Sequence, residues 1–73
     1  MESEWPKVGS VWTHDKTGNN YCVVMLTNIG TTQPDRYPVT VVYQNVLSDT
    51  LWSRPLTDWH RSMTRNRFLG NRD

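Results

Sequence analysis

Leu51-Trp52-Ser53-Arg54-Pro55-Leu56-Thr57-Asp58-Trp59-His60-Arg61-Ser62-Met63 is the stretch in which the apolar pattern changes from the period of a strand to the period of a helix. Pro55 marks the change. Proline has no N–H to give to a strand or helix interior, yet it fits the first helical turn, where that donor has no intrahelical partner. A strand is therefore expected to end near Arg54 and a short helix to run over about 57–64. Leu56, Trp59 and Met63 fall at i, i+3 and i+7, so they share one helix face, and that face packs. Arg61 and Ser62 point outward. Thr57 is the expected N-cap, and Asp58 suits the positive end of the helix dipole.

Working back toward the start, Pro38-Val39-Thr40-Val41-Val42-Tyr43 is a strand rich in β-branched residues, with Val39, Val41 and Tyr43 on one face. Residues 44–50 form the turn that joins it to the Leu51–Arg54 strand. Tyr21-Cys22-Val23-Val24-Met25-Leu26-Thr27 is apolar on both alternating faces. In so short a chain this implies a strand bent strongly enough for its two ends to face different parts of one core. The turn cluster at residues 15–20 closes a hairpin with Gly9-Ser10-Val11-Trp12-Thr13-His14. Trp5 is read as a plug over one end of the core, because leaving its ring in water forfeits about 2 kcal/mol. The polar loop from Asn28 to Tyr37 exceeds what a tight hairpin needs and is a candidate contact site.

The fold class expected is mainly β: a small bent antiparallel sheet or SH3-like open barrel of four to five strands, with one short C-terminal helix. Prolines 6, 34, 38 and 55, together with the valine-rich runs, exclude a three-helix bundle, and an oligonucleotide-binding barrel usually takes more chain. Residues 1–7 read as an N-terminal arm, 8–64 as the single domain and 65–73 as a basic tail. A chain of 73 residues supports one small core.

The formal net charge of +1 gives no global electrostatic case for nucleic acid or an acidic membrane. The charge is polarised, however: residues 1–53 carry −2, whereas residues 54–73 carry +3, with arginine as every basic residue. Arginine suits bidentate contact with phosphate or carboxylate, and a solvated basic terminus is the competing reading. Cys22, the single cysteine, stands in an apolar run and reads as a small buried hydrophobe, which fits a reducing compartment. There is no membrane-length apolar stretch, and Met1-Glu2-Ser3-Glu4 lacks the character of a signal peptide, so a cytoplasmic protein is expected.

No catalytic apparatus is visible. His14 and His60 with one cysteine do not make a structural zinc set, and the valines around Cys22 disfavour a reactive thiol. The carboxylates sit in turns and caps, and no glycine loop cradles phosphate. Neither a cofactor nor a metal is expected, and an enzyme is disfavoured. What remains is a set of aromatic residues beside arginines. Tryptophan, tyrosine and arginine dominate interface hot spots, and the same side chains stack unpaired bases; four tryptophans also fill a small core, where Trp12, Trp52 and Trp59 are placed.

Gly9 to His14, Val41-Val42-Tyr43 and Trp52-Ser53-Arg54-Pro55-Leu56, in that order, resemble elements of a family of short bacterial and phage proteins known only as a domain of unknown function. The resemblance covers roughly residues 8–63 and implies a small SH3-like β-barrel; it lends no catalytic residues. The leading expectation is a non-enzymatic, phage-encoded module that binds a host protein through Trp52, Arg54, Trp59, Arg61, Arg65, Arg67, Arg36 and Tyr37. The alternative is a nucleic-acid module that stacks bases and contacts phosphate with its arginine tail. A homodimer through an edge strand such as Pro38–Tyr43 is a further possibility.

Overall fold

Short β-branched and aromatic runs separated by turns build one antiparallel sheet, seen in a computed structural model that describes residues 5–68. The elements are β1 (Val11–His14), β2 (Asn20–Thr27), β3 (Thr40–Asn45), β4 (Leu51–Pro55), α1 (Leu56–Ser62) and β5 (Met63–Arg65). The sheet order is β4-β3-β2-β1-β5, which leaves β4 and β5 as the free edges of a small open barrel. The mainly β class expected from the sequence is the one observed.

The helix is not C-terminal. Met63 leaves it in an extended conformation (φ −121°, ψ 135°) and begins β5, which pairs with β1 through His14↔Met63 and Trp12↔Arg65. Pro55 itself occupies the N-cap position without a side-chain cap bond, so Thr57 is not the cap. The packed face is the expected one: Trp59 and Met63 are buried, and Leu56 packs against them half-buried.

β2 does bend, through a bulge. Val23 pairs with Tyr43 but Met25 pairs with Val42, leaving Val24 as the extra residue. One inserted residue reverses the in-and-out alternation beyond it. Tyr21 and Val23 therefore meet the core before the bulge and Leu26 meets it afterwards, which accounts for a strand apolar on both faces.

The core consists of Trp12, Val23, Val41, Tyr43, Trp59 and Met63. Trp59 is completely buried and meets Trp12 and Tyr43 edge to face, with ring centroids 5.4 and 5.0 Å apart. Its indole N–H has no acceptor among the described residues, and ring packing holds it. Trp12 is held differently: its Nε1 donates to the buried Ser10 Oγ at 2.9 Å, and that hydroxyl donates to the Lys7 carbonyl at 2.6 Å. Ser10 is thus a buried polar group with its hydrogen bonds made.

Three expectations are corrected. Trp52 is 53% exposed and is not core, because it sits on an edge strand. Trp5 is 44% exposed, and the neighbouring Pro6 is the buried residue, so the ring does not plug the barrel. β3 pairs with β2 on one side and β4 on the other, so Pro38–Tyr43 offers no edge for dimerisation.

Trp59→Ala is expected to lower stability by about 3–5 kcal/mol, the usual cost of emptying a buried tryptophan site. Trp52→Ala is expected to cost about 1 kcal/mol or less, since half of the ring already faces water. Urea unfolding of the two variants checks both values, and equal midpoints would remove Trp59 from its place at the centre of the core.

Candidate functional site

Directly opposed residues in an antiparallel pair share a sheet face. Trp52 lies opposite the core residue Tyr43, and Arg54 lies opposite the fully buried Val41, so both project from the core-facing side of β4. α1 packs on β3, β4 and β5 but leaves half of the Trp52 ring uncovered. Tyr21, Tyr43, Trp52, Arg54 and His14 line the resulting groove. A second depression shares His14 and Arg54 and continues over Lys16 and Arg61. The two form one surface, aromatic at one end and cationic at the other.

The aromatic end is an extension of the core. Tyr21 meets Tyr43 edge to face at 5.1 Å, and Tyr43 in turn meets Trp59. The cationic end is built around Arg54. Its guanidinium carbon lies 5.9 Å from the Tyr43 ring centroid, its Nε donates to Tyr43 Oη at 3.1 Å, and its Nη1 donates to Ser62 Oγ. Arg54 thereby ties β4 to β3 and to the last turn of α1. Arg54 lies against the Tyr43 ring, while Asp58 pairs with Arg61 at 3.7 Å across the exposed helix surface. Asp15, which also borders the cationic depression, accepts a hydrogen bond from Thr64 Oγ1 at 2.6 Å. His14 Nδ1 accepts from the Thr17 N–H at 3.4 Å, so it orders the β1–β2 turn.

Of the residues expected to form a binding surface, Trp52, Arg54 and Arg61 come together here. Trp59 does not, because no part of it reaches solvent. Arg36 and Tyr37 form their own cation–ring contact at 5.8 Å in the β2–β3 connection. Asn28 Nδ2 ties the base of that connection to the Pro38 carbonyl at 2.9 Å. The connection leaves from the end of the β2–β3 ladder opposite to Tyr21. Arg65 and Arg67 line a separate depression with Thr13 and Thr64, along β1 and β5. Leu69 to Asp73, the rest of the basic tail, lies outside the described residues.

His14 and Lys16 were not expected at the site, and Tyr21 and Tyr43 were expected only as members of the aromatic set beside the arginines. The available signal was position: Tyr21 is the second residue of β2 and His14 the last of β1, so both flank one turn. Among the described residues no group of three or more His, Cys, Asp or Glu is arranged to hold a metal, and no helix is long and apolar enough to cross a membrane.

A double-mutant cycle of Tyr43→Phe and Arg54→Ala, read by urea unfolding, is expected to give a coupling of about 1 kcal/mol, the net worth of one hydrogen bond. Additive effects would mean that Tyr43 does not fix the arginine.

Comparison of the chain with protein-family models, with curated proteins and with solved structures gave no match.

Proposed function

We propose that this protein is a small non-enzymatic binding module of the cytoplasm that engages another protein through the groove beside Trp52. The observation that carries this reading is the state of Trp52. It projects from the core-facing side of its strand, next to two tyrosines and an anchored arginine, yet it is 53% exposed. A large ring on the inner side of a sheet and left in water is a contact waiting to be covered, and Trp, Tyr and Arg are the side chains that concentrate binding energy in protein interfaces. The resemblance to phage proteins makes a host protein the natural partner.

The nucleic-acid alternative is less well supported by the same geometry. A strand-tracking surface needs a continuous run of positive charge. Here Arg36 stands at the far end of the β2–β3 ladder, Arg65 and Arg67 lie along β5, and Asp15 borders the groove itself.

The test is capture from a bacterial lysate on the tagged protein and on Trp52→Ala, each with and without nuclease. A discrete protein should survive nuclease on the parent and be lost from the variant, with the variant's melting point nearly unchanged. Recovery that depends on nucleic acid would favour the alternative; equal recovery on both would remove the groove from the interaction.

A further inference from the structure

Arg54 is the one cation of the groove that the fold holds in place. It is half-buried, and its hydrogen-bond partners, Tyr43 Oη and Ser62 Oγ, are both neutral hydroxyls. The ion pair seen among the described residues, Asp58–Arg61, does not include it. A guanidinium drawn partly out of water without a counter-charge keeps an unmet preference for an anion, and its five N–H donors exceed those two bonds. Lys16, Arg61 and His14 line the same depression, as does Asp15, whose carboxylate accepts from Thr64 and makes no ion pair with Arg54.

Two further features narrow the anion to one class. Trp52 and Arg54 stand two residues apart on the same face of β4, a spacing of about 6.7 Å along a strand. Among the described residues β4 is also a free edge of the sheet, where Leu51 and Ser53 turn their N–H and C=O groups away from β3 and Pro55 offers a carbonyl alone. A segment added to that edge would set alternate side chains directly beside Trp52 and Arg54, at cross-strand distance.

On the footing of the protein-binding reading, we propose that the groove takes an extended acidic segment of the partner, paired along β4, with an apolar side chain against Trp52 and an Asp or Glu two residues away against Arg54. Carboxylate and guanidinium then meet through parallel N–H···O bonds, the geometry for which arginine is suited. The anchored position of Arg54 spares part of the entropy that a free arginine would lose on binding.

The probes are three blocked peptides: Ser-Thr-Phe-Thr-Glu-Thr-Ser, its Gln counterpart, and a version with Glu moved next to Phe. Binding is followed by nitrogen-edited NMR at the Trp52 indole, the Arg54 Nε–H and the β4 amides. The first peptide should shift all three sets, and the other two should bind about tenfold more weakly. In Arg54→Gln the preference for Glu over Gln should vanish, whereas Trp52→Ala should weaken both peptides alike. A variant that is merely less stable would not change that ratio, and Arg54→Lys, which keeps the charge, should retain part of it. Equal binding of the Glu and Gln peptides, or no shift at millimolar peptide, overturns the acidic-segment assignment while leaving capture of a protein through Trp52 standing. A short oligothymidylate that moves the same resonances more strongly than the peptide overturns the protein-binding reading as well.

Discussion

The burial of Trp59 is the contact on which the rest of this small fold depends. A helix of seven residues has too few internal hydrogen bonds to be stable alone. α1 exists because its one fully buried side chain fills the space between Trp12 of β1 and Tyr43 of β3, strands that are not neighbours in the sheet. Backbone bonds then fix both ends of the helix: the Leu56 N–H donates to the Val39 carbonyl at 2.8 Å, and the Asp15 N–H donates to the Ser62 carbonyl at 2.8 Å. The chain that leaves the helix is thereby delivered to the edge of β1, where β5 forms.

The sheet must curve for one indole to touch both β1 and β3. The irregularity in β2 supplies that curvature, since a bulge increases the local twist and bends the strand that contains it. The same irregularity hands the core from Val23 to Leu26 while Met25 turns to solvent. Beside the bulge, Gly9 adopts φ +91°, a conformation open to glycine, and its N–H reaches the Val23 carbonyl at 2.8 Å. The start of β1 is thus fastened to the position where β2 begins to bend.

These features differ in how far they could be read from the sequence. The break at Pro55 and the Leu56-Trp59-Met63 spacing are local signals, and they located the helix to within two residues at either end. The two-faced run from Tyr21 to Thr27 likewise implied a bend, although the position of the bulge depends on partners supplied by β3. Trp52 was misread because strand alternation reports which face a side chain occupies, not whether anything covers that face. β5 was missed for a related reason. Met63-Thr64-Arg65 has a single buried residue, and Met63 also completes the helical face, so no local pattern marks where one element stops. The scattering of Arg36, Arg65 and Arg67 away from Arg54 is a matter of topology, which a count of arginines does not contain.

The aromatic residues divide the work of folding from the work proposed for the groove, and Tyr43 is where the two meet. Edge-to-face contacts run without interruption from Trp12 to Trp59, Tyr43 and Tyr21. The first two rings belong to the core, and the last two also line the groove. Tyr43 is 5% exposed, packs on Trp59 and holds Arg54 through its hydroxyl, so the position of the guanidinium follows from the packing of the core. Trp52 lies outside this chain of contacts and contributes little to closing the fold. In the proposed recognition surface one element is set by the core and the other is free to change, so the proposed preference for an apolar neighbour can drift at Trp52 without loss of stability. A change at Tyr43 would disturb the core and the arginine together.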